Sequence, residues 1–163
     1  MIRAGGLGVD LVDQGGNPVD ETVFVGHPSA LFFGFTHCPE VCPTTMAEMS
    51  AWFDALGDDG ADLRAWFVSI DPERDTPEVL GDYVSWVSDR ITGITGDPDQ
   101  IDRLADAWGV FHEKVPLEGG DYTMDHTASV FLLDRQGRFQ GTIAYREDMA
   151  TALGKLRNLL AKS

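Results

Sequence analysis

At 163 residues, 43% of them hydrophobic and 24% charged, the chain has the length and composition of one globular domain. A domain of this size buries roughly 70% of its unfolded surface, so it needs neither a disulfide nor a metal merely to fold. Twelve basic against 27 acidic residues leave a formal net charge of -15, which argues against nucleic acids and anionic membrane surfaces as partners.

No apolar run reaches the roughly 18 residues that a membrane-spanning helix needs. The opening Met-Ile-Arg-Ala-Gly-Gly carries an Arg but no apolar stretch after it, so no signal peptide is visible. The sequence therefore reads as cytosolic, or as a chain whose targeting segment has been removed. With no repeat, low-complexity tract or linker inside it, residues 1–163 read as a single domain, residues 1–6 being a linker or remnant.

Residues 7–13 and 23–25 flank the turn-rich Gln14-Gly15-Gly16-Asn17-Pro18, which predicts a hairpin or similar tight reversal. Ala30 to Phe35 is a continuous apolar run, too short for a helix, and predicts a strand buried on both faces. A helix follows from near Pro43, with Met46, Met49, Phe53 and Leu56 on one face. Arg64 to Ile70 predicts a second buried strand. Thr76-Pro77 supplies an N-cap and a Pro at N1 for a helix whose apolar face is Leu80, Tyr83, Val84 and Val87.

Ile91 to Thr95 reads as a short strand. Asp97-Pro98-Asp99-Gln100 has the pattern of a capping box for a helix carrying Ile101, Leu104, Ala105 and Trp108. Ala128 to Leu133 and Arg138 to Ala144 read as strands joined by a turn at Asp134-Arg135-Gln136-Gly137. A last helix carries Leu153, Leu156, Leu159 and Leu160. The order is hairpin, βαβαβα, then ββα. It predicts an α/β, thioredoxin-like fold: a mostly parallel central sheet flanked by helices on both faces, with an N-terminal hairpin extension.

The two cysteines, Cys38 and Cys42, sit together in Phe35-Thr36-His37-Cys38-Pro39-Glu40-Val41-Cys42-Pro43, between a buried strand and the mouth of a helix. Free N–H groups and the helix dipole favour thiolates there. C-x3-C spacing puts the two sulfurs on one side of the first turn, within reach of each other or of a common ion. Isolated cysteines are usually core packing. Two prolines, a strand-end position and the lack of further cysteines favour chemistry instead.

Two thiolates alone make a reversible disulfide. With an imidazole they make a soft three-coordinate site suited to Cu(I) that also accepts Cu(II). Of His27, His37, His112 and His126, only His126 has the right topological position: it precedes the strand from Ala128, and in thioredoxin-like folds that loop faces the cysteine loop. His37 adjoins Cys38 but points to the opposite side of an extended segment. His27, in a turn, and His112, near a helix end, read as non-functional. Thr44 stands where a phosphatase His-Cys-x5-Arg motif needs Arg, structural zinc wants four protein ligands, and no P-loop, G-x-G-x-x-G or G-x-S-x-G occurs.

Three segments resemble the Sco/SenC copper chaperones: Gly34-Phe35-Thr36-His37-Cys38-Pro39-Glu40-Val41-Cys42-Pro43-Thr44-Thr45, Val68-Ser69-Ile70-Asp71-Pro72-Glu73-Arg74-Asp75-Thr76-Pro77, and Asp125-His126-Thr127-Ala128. The similarity runs from about Gly8 to the final helix. It implies copper binding by Cys38, Cys42 and His126, and work in assembling the dinuclear copper centre of cytochrome c oxidase by delivering copper, reducing that centre's cysteines, or both. The implied partner is the subunit carrying that centre, or another copper protein. Members of that family are usually tethered to the inner membrane and face the periplasm or the mitochondrial intermembrane space. The implied place is thus the periplasm or the periplasmic face of the inner membrane, although no anchor is present in this sequence.

Asp71, ending the strand beside the cysteine-bearing one, is a candidate for orienting His126 or the cysteine loop; a turn Asp before Pro72 is the plainer reading. Met46 and Met49 are core residues first and soft auxiliary ligands second. The competing function is a thiol–disulfide oxidoreductase or thiol peroxidase using Cys38 and Cys42, with copper incidental.

Overall fold

The computed structural model describes residues 10–36, 41–107, 112–116, 122–126 and 129–162; for Val41, Cys42, 112–115, 122–126 and Lys162 the description is of the backbone. In chain order the strands are β1 (Asp10–Asp13), β2 (Pro18–Asp20), β3 (Ser29–Gly34), β4 (Arg64–Ser69), β5 (Ile91–Thr95), β6 (His112–Pro116), β7 (Tyr122–His126), β8 (Val130–Leu133) and β9 (Phe139–Ile143). The helices are α1 (Val41–Leu56), α2 (Pro77–Val87), α3 (Pro98–Ala107) and α4 (Met149–Lys162).

Seven strands form one sheet in the order β2-β1-β5-β4-β3-β8-β9, and β6 pairs with β7 apart from it. The parallel pairs are β3 with β4 and β4 with β5, so the crossover helices α1 and α2 join a parallel centre. Antiparallel strands extend it on either side, β1 and β2 beyond β5, β8 and β9 beyond β3. All six residues of β3 are buried. Because successive side chains point to opposite faces, burial without alternation means that both faces of the sheet are covered there.

The core follows the apolar positions predicted from the sequence. Phe32 on β3 lies 6.0 Å from Phe67 on β4 between ring centroids, and Phe67 lies 5.5 Å from Tyr83 on α2. Met46, Met49, Phe53 and Leu56 are all buried, so the two methionines serve packing. Burying each such side chain is worth about 1.5–3 kcal/mol. α2 begins as its letters dictate: Thr76 Oγ1 accepts from Val79 N–H at 3.3 Å, and Pro77, whose missing N–H costs nothing at N1, follows.

Three expectations need correction. The second strand of the N-terminal hairpin is Pro18–Asp20, not 23–25, since Glu21–Phe24 is a 3-10 turn. Asp20 stops the strand by accepting from Thr22 N–H at 2.9 Å. Residues 7–9 of the first predicted strand lie outside the described residues, as does Trp108. Gln100 does not complete a capping box: its Oε1 accepts from Asp10 N–H at 2.9 Å and ties α3 to β1. The third correction is the β6–β7 hairpin, where the sequence suggested only a helix end and a loop.

Candidate metal centre

Parallel β3 and β4 end together, Gly34 opposite Ser69, so the loops that follow them leave from the same edge of the sheet. After β3 the chain passes buried Phe35 and reaches Thr36. The next described residue, Val41, begins α1, which places the Cys42 backbone in the first helical turn, with Pro43 directly after it. Proline is tolerated in a first turn because the N–H groups there lack intrahelical acceptors. Those same N–H groups, with the helix dipole, favour a thiolate over a thiol. Cys38 and His37 lie outside the described residues, and so do the side chains of Cys42 and His126.

His126 closes β7 rather than standing in a loop, a correction to the sequence reading. Its separation along the chain from the main sheet can be read from the ladder. β8 runs antiparallel to β3, with Leu31 opposite Phe131. Five residues onward from Leu31 the chain is at Thr36, and five residues back from Phe131 it is at His126. Equal lengths of chain thus separate that rung from Thr36 and from His126, and Cys38 follows Thr36 by two residues and Cys42 by six.

The entrance to the cysteine loop is pinned by Asp75, whose carboxylate is fully buried. Oδ2 accepts from Thr36 N–H at 3.0 Å and from Ser69 Oγ at 2.7 Å, and Oδ1 accepts from Thr36 Oγ1 at 2.5 Å. Ser69 Oγ in turn accepts from Asp71 N–H at 3.1 Å. A buried carboxylate is costly unless it is hydrogen-bonded, and these donors supply that compensation. Asp75 and Thr76 also line a cleft of about 400 Å³ between the N-terminal hairpin and the start of α2.

Asp71 is buried and pairs with Arg74, Nε to Oδ2 at 2.5 Å, while its carbonyl accepts from Arg74 and Asp75 N–H at 3.1 and 2.9 Å. It therefore shapes the turn before α2, and it does so on the edge that the cysteine loop leaves. Sequence reasoning singled out Asp71 and passed over Asp75 four residues on. The available signal was an Asp directly before the Thr76 N-cap, a position from which a carboxylate reaches backward to the strand ends.

The remaining histidines differ. His27 Nδ1 lies 2.9 Å from Asp62 Oδ1, and Asp62 also pairs with Arg135; these partners, His27 first, hold the Asp62 carboxyl below its usual range. That accounts for His27 as part of a surface ion cluster. His112 does not lie at a helix end: it opens β6, directly opposite His126.

A thioredoxin-like sheet with a cysteine in the first turn of its first crossover helix, and a separate hairpin whose second strand ends in a histidine, defines a thiol- and imidazole-bearing domain. Its relatives narrow that class. The SCO1/SenC family model matches residues 8–161, and the chain belongs to that family. The SCO2-like protein of Rickettsia prowazekii is 34% identical over 140 residues, covering 85% of this chain and 68% of the relative. The mitochondrial SCO1 homolog of Homo sapiens is 38% identical over 119 residues, covering 71% of this chain and 40% of its own. Among solved structures, copper-bound ScoI of Bradyrhizobium japonicum is 40% identical with a TM-score of 0.85, covering 93% of this chain and 96% of that one. Copper-bound Sco1 of yeast is 30% identical with a TM-score of 0.86, covering 95% and 87%.

Proposed function

We propose that this chain is a copper-binding metallochaperone for the dinuclear copper centre of cytochrome c oxidase, and that it holds one copper ion through Cys38, Cys42 and His126. The observation carrying this reading is the Cys42 backbone in the first turn of α1, directly after the cysteine loop that follows buried β3, in a chain that matches the SCO1/SenC family over residues 8–161. Two thiolates and an imidazole fit Cu(I) by softness and accept Cu(II) as well. Three ligands leave the metal open to attack by an acceptor's ligands, which suits cargo that must be released.

The proposed partner is the oxidase subunit that carries the copper centre, and the proposed place of work is the periplasm or the periplasmic face of the inner membrane. No helix among the described residues is long and apolar enough to cross a membrane. Residues 1–163 act, on this reading, as one thioredoxin-like domain. Asp71, buried on the same edge, would help to orient the cysteine loop or His126.

The thioredoxin-like placement of Cys42 at a helix N-terminus favours a second role for the same thiols, reduction of the acceptor's cysteines. One titration separates the roles. Reduced wild type and His126→Ala compete with a chromogenic chelator for Cu(I). The metal reading expects stoichiometric binding that weakens about 100-fold in the variant. Thiol–disulfide exchange or peroxidase turnover with Cu(I) binding indifferent to His126 would replace it with the oxidoreductase reading.

A further inference from the structure

α2 packs on the sheet through one side and leaves the opposite side in water. Leu80 and Val84 are fully buried, Leu80 stands directly over Gly93 on β5, and the Tyr83 ring lies 5.5 Å from Phe67 on β4. Val79, Asp82 and Trp86 follow one another at spacings of three and four, so they form one stripe turned away from those contacts. Trp86 is 91% exposed and Val79 41%. The described residues hold four exposed large hydrophobics, and this stripe carries two of them, about 10 Å apart along the helix. At an exposed helix position alanine, glutamate or lysine serves helix stability better than tryptophan, so folding does not account for Trp86.

We propose that the Val79–Asp82–Trp86 stripe is a docking surface for a protein partner whose facing patch sets Lys or Arg among apolar side chains. The charges around the stripe decide between occupants. Asp82 stands between the two hydrophobics, exposed Glu78 lies one turn before it, and exposed Asp89 follows just past the helix end. α2 itself holds no basic residue. The Arg90 guanidinium is taken up elsewhere, stacked 4.1 Å over the Phe53 ring and donating to the Gly60 and Leu63 carbonyls.

A cation laid on the indole face gains a cation–π contact that strengthens as water leaves, with the Asp82 carboxylate one turn away. A second copy of this chain would bring two acidic α2 surfaces together, each on a molecule of net charge -15, and anionic headgroups meet the same repulsion. A buried tryptophan covers roughly 150–250 Å², against about 800 Å² per partner in a stable complex. The stripe is therefore the anchor of a transient encounter, in which one aromatic side chain carries most of the affinity. None of its residues belongs to the proposed copper site, so the inference stands apart from how copper is held.

The test uses the full chain and a short amphipathic helical peptide of leucine and lysine, with its leucine–glutamate counterpart as comparison. Binding is followed by the indole N–H resonance of Trp86, identified as the one that Trp86→Ala lacks. Only the lysine peptide should bind, and its affinity should fall at least about tenfold in Trp86→Ala, whose unchanged circular dichroism shows that the fold is kept. The pair Asp82→Asn/Asp89→Asn should weaken binding several-fold and flatten its salt dependence. The pair Asp58→Asn/Asp59→Asn removes the same charge from a different surface turn and should stay within about twofold of wild type. Binding indifferent to Trp86→Ala, or equal losses from the two aspartate pairs, overturns the inference, because the peptide then answers only to net charge. So does equal binding of the glutamate peptide. Trp86-dependent adsorption to phosphatidylcholine vesicles, or a Trp86-dependent dimer in sedimentation, would replace the protein partner with a membrane or a second copy.

Discussion

Thr36 is held by Asp75 at two points, its backbone N–H at 3.0 Å and its hydroxyl at 2.5 Å, across 39 residues of chain. The contact joins the last described residue before the cysteine loop to the turn that opens α2. Asp75→Asn preserves shape but turns an acceptor position into an NH2 facing a donor, and an unsatisfied buried group costs roughly 1–3 kcal/mol. Urea unfolding should show that loss. Cu(I) competition on the folded variant should show weaker binding as well, because the loop loses its anchor. Thr36→Val, which removes only the hydroxyl bond, should give a smaller version of both effects. A stability loss with untouched copper affinity would confine Asp75 to folding.

Copper binding should be steeply pH-dependent. Thiols bind metal as thiolates, so below their pKa values each ligand releases a proton on binding. With two thiolates the apparent affinity falls by up to about 100-fold per pH unit as the solution is acidified. Cys42→Ser reduces the limiting slope to about tenfold per unit. Chelator competition above about pH 6.5, where an ordinary imidazole is already neutral and only the thiols contribute protons, measures both slopes.

Gly93 on β5 is closely packed. A Cβ there would stand 2.6 Å from Cγ and 2.9 Å from Cδ2 of Leu80, which is itself fully buried on α2. The branch point of a packed leucine does not move aside cheaply, so Gly93→Ala should destabilise by about 1–3 kcal/mol. Combining it with Leu80→Ala should cost less than the sum of the two single changes, a double-mutant coupling readable by thermal or denaturant unfolding.

Lys155 Nζ lies 2.8 Å from Glu147 Oε1 and 2.8 Å from the Thr142 carbonyl, closing α4 onto β9. The hydrogen bond from Lys155 is the main reason that the Glu147 carboxyl is held below the usual carboxylate range. A carboxylate depressed in the folded state adds stability above its unfolded pKa and loses it as pH falls through the folded value. Glu147→Gln should therefore cost about 0.5 kcal/mol at pH 7. The gap between variant and wild type should close as acidification passes the folded-state value, as unfolding curves across the acid range will show.

Where burial and periodicity coincide, the sequence predicted the structure closely. β3 differs from its predicted strand by one residue at either end, and α2 starts at the predicted Pro77. The misses share a cause: polar residues whose roles depend on distant partners. His-Glu-Lys-Val-Pro and Tyr-Thr-Met-Asp-His carry too few apolar letters to announce β6 and β7, whose register comes from pairing with each other. Gln100 matched a local capping pattern, yet its acceptor went to Asp10, 90 residues away. Asp75 stood inside a recognised segment, but nothing local reveals that its carboxylate reaches Thr36. The proposed ligands could be singled out because thiols and an imidazole are rare donors; Cys38 and the side chains of Cys42 and His126 lie outside the described residues.

The flanks of the main sheet carry a consequence for how copies of this protein meet. On one border stands β2, three residues long and opened by Pro18, which has no amide hydrogen to offer a newcomer. On the other stands β9, whose pairing with β8 slips at Leu132/Leu133 and whose Gly141 bends at a φ of 155°. A truncated border and a kinked one are poor templates for adding a foreign strand. Neither border of that sheet invites fibre growth or strand exchange.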